Sequence, residues 1–223
     1  MPSSILSTSA VREQLAEIGL PLAPDQGPRL REEFAEELRP PERLTLSEWS
    51  DRHREIPAEG AAEPGRWRTS RFPFLKRIMD LLSATDATQR ITVMKGSQIG
   101  FTECAINFLM YIVDHAPAPS MYVQPTLDTA KRFGKQRLDP SVRLTSSVAR
   151  KIGTAKSRDS SNTAVSKTFP DGILFLSGAN SAPSLRSAPI QNLLLDERDG
   201  YPEDLEEEGD PGELAIRRTS NFP

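Results

Sequence analysis

From residue 90 onward the apolar positions fall into short runs separated by stretches at helical spacing. I-T-V-M-K (91–95) predicts a buried strand, followed by a short polar turn containing glycines. A helix over about 102–114 comes next, apolar nearly all round through Ala105, Ile106, Phe108, Leu109, Met110, Ile112 and Val113. Such a helix belongs between layers rather than on a surface. S-M-Y-V-Q (120–124) predicts a second strand, 126–138 a second helix, and I-L-F-L-S (173–177) and N-L-L-L (192–195) two further strands. Short apolar strands alternating with helices predict an α/β fold with a mainly parallel central sheet covered by helices on both faces. Ligands of such sheets bind at the C-terminal ends of the strands.

Upstream, Thr45 and Glu48 form a capping-box pattern that opens a helix carrying Trp49. A Gly/Pro/Ala-rich loop (57–66) leads to Leu75, Ile78, Met79 and Leu82, whose spacing predicts an amphipathic helix over 72–84. Residues 1–43 read as an N-terminal helical appendage interrupted by Pro21, Pro24, Pro28 and Pro40, either a partner-binding arm or a flexible leader. Residues 44–223 then form the main domain.

Composition narrows the class. The 223 residues suffice for one generous domain with an appendage. Cys104 alone excludes an internal disulfide, and with only His53 and His115 beside it a Cys/His zinc site is excluded. The longest apolar run, Phe108 to Val113, is too short to cross a bilayer, and no signal-like segment opens the chain. An intracellular soluble protein is expected, with no membrane partner.

The formal charge of −3 hides an asymmetry. Residues 131–158 carry nine Lys/Arg against Asp139 alone, whereas 196–213 carry ten acids against Arg198 alone. The basic block, with Lys131, Arg132, Lys135, Arg137, Arg150 and Lys151, has the charge to meet a nucleic-acid backbone. Its alternative is a solvated surface balanced in space by the acidic stretch. The run Glu203 to Asp210 reads as an exposed loop rather than a metal cage, because adjacent carboxylates repel without an ion.

Two motifs carry chemistry. Lys95-Gly96-Ser97-Gln98-Ile99-Gly100-Phe101-Thr102 follows a predicted strand and opens a predicted helix, as a phosphate-binding loop must. Against G-x-x-x-x-G-K-[ST], Gly100 and Thr102 fit, Phe101 stands where lysine is usual, and the lysine is displaced to the loop's start at Lys95. A long ammonium stem can still reach the phosphates from there. The alternative is an ordinary strand–turn–helix connection. The second motif, Asn192 to Leu195 followed by Asp196 and Glu197, ends an apolar strand in paired carboxylates, 94 residues beyond Thr102. Two charges at the end of a buried strand are costly unless an ion or partner compensates them. In P-loop ATPases the Asp of such a pair holds the Mg²⁺ shell and the Glu activates water.

With both motifs in order, residues 40–223 resemble the ATPase domain of the lambda-type (GpA-like) large terminase subunit of tailed bacteriophages. The resemblance is carried by L-S-E-W (46–49), E-P-G-R-W (63–67), K-G-S-Q-I-G-F-T-E (95–103), Q-P-T (124–126), K-R-F (131–133), R-L-D-P (137–140), S-G-A-N-S (177–181), L-R-S (185–187), L-L-L-D-E (193–197) and E-G-D-P (208–211). A lysine at the start of the phosphate loop is a known departure within that family. The resemblance implies a P-loop NTPase of the additional-strand catalytic-glutamate type that uses ATP and Mg²⁺ to package viral DNA. Lys95 would meet the β- and γ-phosphates, Ser97 to Thr102 would line them, Thr102 and Asp196 would hold Mg²⁺, and Glu197 would position water. Arg186 resembles a finger acting on a neighbouring subunit in a homo-oligomeric ring, the alternative being an ion pair with the 196–210 carboxylates. Implied partners are double-stranded viral DNA, a terminase small subunit and the portal of the procapsid, in the host cytoplasm.

Two departures bear on function. Leu75 stands where a glutamine can contact adenine, leaving His53, Arg54 and Trp67 as substitutes, although Trp49 and Trp67 suit a core equally well. The chain also stops where the family continues into a coupling motif and a metal-dependent nuclease domain, so no nuclease activity is expected. The competing functions are a truncated prophage remnant acting as a nucleotide- or DNA-binding or assembly module, and a related P-loop translocase or helicase.

Overall fold

Thr45 starts the first helix, α1 (Leu46–His53), by the reciprocal cap its sequence predicts: its Oγ1 accepts from the Glu48 N–H at 3.3 Å and Glu48 Oε2 accepts from the Thr45 N–H at 2.9 Å. The computed structural model describes residues 42–59, 63–152, 163–186, 188–205 and 209–222, so the appendage expected over 1–43 lies, apart from its last two residues, outside the described residues. A two-residue antiparallel pair, β1 (Glu55–Ile56) and β2 (Gly65–Arg66), precedes α2 (Pro73–Leu81). Proline at the start of α2 lacks only an N–H that has no helical acceptor there, and Leu75 and Met79, one turn apart, are both fully buried.

The expected strand at 91–95 does not form. These residues are irregular and have no ladder partner among the described residues. Ile91 and Val93 are half-buried while Thr92 and Met94 are exposed, Met94 completely, so the alternation of an extended chain survives without the hydrogen bonds of a sheet. Local β preference is weak by itself and needs a neighbouring strand to become a ladder.

Helix α3 (Phe101–Asp114) fulfils the all-round apolar pattern: ten consecutive residues, Cys104 to Val113, are buried. Each large apolar side chain placed there contributes about 1.5–3 kcal/mol relative to exposure. Burial also pushes the Cys104 thiol up to about 12, so it stays protonated. The chain continues through β3 (Ser120–Gln124), α4 (Leu127–Phe133), a π-helical turn (Gly134–Leu138), α5 (Asp139–Leu144) and α6 (Ser146–Ile152). The single helix predicted over 126–138 is therefore a helix running into a π turn. After β4 (Ser166–Phe169) and β5 (Gly172–Gly178) come the short α7 (Ala182–Leu185), β6 (Asn192–Leu195) and α8 (Pro211–Ile216).

The sheet order is β4-β5-β3-β6. β3 pairs in parallel with both neighbours, Ser120 opposite Leu174 on one side and Asn192 on the other, while β4 is antiparallel to β5. The architecture is thus mixed α/β with a mostly parallel sheet. The strand period of two splits the core. Tyr122, Leu174 and Leu176 face the cluster that contains α1, α2 and α3, whereas Met121 and Val123 face Ala182, Leu185, Ile190, Tyr201, Leu205 and Leu214.

The S-G-A-N-S stretch has a packing reason. A Cβ on Gly178 would lie 2.1 Å from the Leu127 backbone nitrogen, and Asn180 Oδ1 accepts that same N–H at 2.9 Å. Gly178 lets α4 start against the end of β5. Gly178→Ala should therefore cost about 2–3 kcal/mol and lower the midpoint of a thermal melt by about 5–10 °C. An unchanged midpoint would refute the close approach.

Candidate functional site

Both chemical motifs lie at one edge of the sheet. The loop 95–102 turns through two left-handed residues, Gln98 (φ 57°) and Gly100 (φ 80°), before entering α3. Gly100 is the N-cap and has no side chain to accept from the first N–H groups of α3, of which that of Glu103 bonds the Gly100 carbonyl at 3.0 Å. Gly96, Ser97 and Gln98 are exposed, while Ile99, Phe101 and Thr102 are half-buried.

Asp196 sits at the C-terminal end of β6 and is 4% exposed. Its Oδ2 accepts from Tyr122 Oη at 2.6 Å and from Gln124 Nε2 at 3.4 Å; its Oδ1 accepts from the Glu197 N–H at 3.0 Å. Gln124 Nε2 also donates to Tyr122 Oη at 2.8 Å. Tyr122 is held neutral as a donor, because burial and the neighbouring carboxylate both push its pKa upward. Lys95 Nζ lies 3.5 Å from Asp196 Oδ1 and 5.5 Å from the centroid of the Phe101 ring. The displaced lysine therefore meets the carboxylate of the other motif across about one hundred residues of sequence.

Glu197 is exposed and left-handed (φ 50°). A non-glycine residue held there stores backbone strain of a kind that clusters at functional sites. Arg186 is exposed and closes α7, its Nε donating to Ala182 O at 3.4 Å. Of the six cations read as a nucleic-acid face, Lys131 lies 3.7 Å from Asp128, Arg137 2.7 Å from Glu103 and Lys151 3.1 Å from Asp114. Arg132, Lys135 and Arg150 are exposed and form no ion pair with the described residues. The acids that meet the basic block are thus Asp128, Glu103 and Asp114; among the described ion pairs none joins that block to the 196–213 stretch.

Three substitutes for an adenine contact fall away. Arg54 and Trp67 are buried, and His53 lies tilted against Trp49, their ring centroids 5.8 Å apart. Leu75 is core. Phe72 instead packs on the loop, 3.4 Å from where a Gly100 Cβ would stand, and stacks on Trp67 at 5.3 Å. Phe74, 55% exposed, meets Phe72 edge-on at 6.3 Å. Sequence reasoning missed Tyr122, Gln124 and Phe72. The usable signal was the period of two along β3, which puts Tyr122 and Gln124 on one face, ending beside the last residue of its neighbour.

The profile of the phage terminase large subunit gpA ATPase domain matches residues 61–223. The chain belongs to that family. It is 28% identical over 177 residues to the terminase large subunit of Enterobacteria phage P21, covering 78% of this chain and 27% of that protein. It is 27% identical over 179 residues to the terminase large subunit of Escherichia phage lambda, covering 80% and 28%. The chain thus spans a little over a quarter of the length of these relatives. No solved structure matches it significantly. Membership in this ATPase family entails nucleotide use in general, and no helix among the described residues is long and apolar enough to cross a membrane.

Tyr122→Phe tests the geometry of this terminase site directly. Loss of the 2.6 Å donor leaves a buried carboxylate less satisfied, so urea unfolding should show a loss of about 1–3 kcal/mol. A neutral result would mean that water or Lys95 replaces the phenol at no cost.

Proposed function

We propose that residues 44–223 are a P-loop ATPase domain of the additional-strand catalytic-glutamate type, hydrolysing ATP to drive viral DNA into a procapsid. The observation that supports this most is Lys95 Nζ reaching Asp196 Oδ1 beside a helix start that no side chain caps. In this reading Lys95 meets the β- and γ-phosphates, and the loop from Gly96 to Thr102 turns its N–H groups toward them. The donor set fits Mg²⁺. Thr102 and Asp196 offer hard oxygens, and this ion takes one or two protein oxygens with phosphate and water rather than a cage. Mg²⁺ when bound supplies charge neutralisation of the phosphoryl oxygens. Tyr122 and Gln124 hold one oxygen of Asp196, while the other accepts from the Glu197 N–H and lies 3.5 Å from Lys95. Glu197 accepts a proton from the attacking water, and Phe74 beside Phe72 offers a face for the base.

Arg186 acts in trans in a homo-oligomeric ring, where a guanidinium spreads its charge over the transferring phosphoryl group. The exposed Arg132, Lys135 and Arg150 contact double-stranded DNA, and a small terminase subunit and the portal are the remaining partners. A second reading, a module that binds nucleotide and DNA without turnover of its own, is favoured by the irregular 91–95 segment, which leaves the phosphate loop without a strand to anchor it.

Lys95→Ala should weaken Mg²⁺-ATP binding at least ~30-fold, whereas Phe101→Ala should leave phosphate affinity largely intact. The reverse ranking in a titration would exclude the displaced lysine. Glu197→Gln should keep nucleotide bound and cut turnover at least ~100-fold; wild-type binding without turnover, alone or with DNA, selects the second reading. Neutralising Arg132, Lys135 and Arg150 together should lower the log–log salt slope of duplex binding by about 2–3. An unchanged slope would return these cations to ordinary surface.

A further inference from the structure

Arg198 is the lone cation of the acidic stretch 196–213, and it directly follows Glu197. Its guanidinium lies in a fitted seat. Nη2 donates to Asp210 Oδ2, and Cζ stands 5.1 Å from the centroid of the Tyr201 ring. Gly212 closes another side: a Cβ there would come within 2.6 Å of Arg198 Nε, so a larger residue would push the side chain out. Asp210 serves twice, because its Oδ1 accepts from the Glu213 N–H at 3.0 Å as the N-cap of α8.

The seat bears on the turn that carries Glu197. The Asp196 N–H and Tyr201 Oη both donate to the Val123 carbonyl, at 3.0 and 2.8 Å, which pins the two ends of the turn to β3. Between them the Gly200 N–H donates to the Glu197 carbonyl at 2.9 Å and the Tyr201 N–H to the Arg198 carbonyl at 3.2 Å. Glu197 itself is exposed, with φ 50° and ψ 48°. A side chain disfavours that left-handed backbone, which persists only where the surroundings over-determine it. Arg198 supplies the tie that the local bonds lack: it joins the middle of the turn to α8, twelve residues on.

We propose that Arg198 and Asp210 are positioning residues for Glu197, their ion pair clamping the 197–201 turn so that the Glu197 backbone stays left-handed. The role rests on the reading of Glu197 as the group that takes the proton from water. Proton transfer needs the carboxylate within hydrogen-bond reach of that water, and a displacement of about 1 Å costs up to about a hundredfold in rate. Without the pair the backbone of Glu197 relaxes to a right-handed or extended form, and its carboxylate turns away. Nucleotide affinity stays with Lys95 and the 95–102 loop, so turnover falls while binding does not. Arg198 acts only through its neighbour, since its guanidinium is engaged by Asp210 and Tyr201.

Two measurements on the full chain test the clamp. In amide hydrogen exchange followed by NMR, Arg198→Gln should speed exchange at Gly200 and Tyr201 at least ~tenfold and leave α3 unchanged. In turnover of ATP with Mg²⁺ and duplex DNA, Arg198→Gln should lower kcat at least ~tenfold at an unchanged dissociation constant for Mg²⁺-ATP. Asp210→Asn still caps α8 and should lose as much, whereas Arg198→Lys keeps a cation opposite Asp210 and should recover part of the rate. In a Glu197→Gln background, Arg198→Gln should cost nothing further, because the carboxylate it positions is gone. A purely structural role would lower the rate equally in both backgrounds. Unchanged exchange, an unchanged kcat, or an equal further loss in Glu197→Gln overturns the clamp and leaves Glu197 standing. Wild-type turnover in Glu197→Gln, or none in the wild-type chain, overturns the role of Glu197 and the clamp with it.

Discussion

A carboxylate buried at the C-terminal edge of a parallel sheet is the constraint around which this domain is arranged. Asp196 is tolerated there because a phenol, an amide and a backbone N–H donate to it and an ammonium stands 3.5 Å away. Each donor arrives by a different route. Tyr122 and Gln124 come from the adjacent parallel strand, Glu197 from the chain's own reversal, and Lys95 from the start of the 95–102 loop. The sheet register is thereby tied to the chemistry, since a one-residue slip of β3 would turn Tyr122 and Gln124 to the opposite face.

Helix α3 connects this edge to the rest of the core. Its N-terminus continues from the 95–102 loop, while ten buried residues fix its body between the sheet and the N-terminal helices. A rigid helix with an uncapped start can present backbone donors without reorganisation, which suits the binding of a polyanion. Glu103 extends the same helix sideways into the basic segment. The 95–102 loop is thus bounded by two carboxylates of different kind, one taking a lysine and the other two arginines.

Part of the candidate site was legible before the fold. Lys95 and Asp196, which the structure brings to 3.5 Å, stand out in the sequence as a lysine beside glycine and a carboxylate at a strand end. β6 matches its predicted bounds, and α3 begins one residue early. The failure at 91–95 has a plain cause. Four apolar or β-branched residues in a row signal an extended preference, but a ladder needs a neighbour, and 91–95 pairs with none of the described strands. The π turn at 134–138 was illegible because one added residue per turn leaves no mark in hydrophobic spacing. Arg54, a candidate adenine contact in the sequence, is instead buried, and its partners Glu103, Asn107 and Ser141 are 49, 53 and 87 residues distant.

By itself the amino-acid order determined the class of fold, the capped helix at Thr45, the layer-spanning helix and the two chemical motifs, because each depends on contacts within a few residues or on periodicity. Only the tertiary structure decided that Lys95 meets Asp196, that Tyr122 and Gln124 hold it, and that Arg137 belongs to Glu103. Those are pairings between distant segments. Their energies depend on burial and on strand register, and neither quantity exists until the sheet has formed.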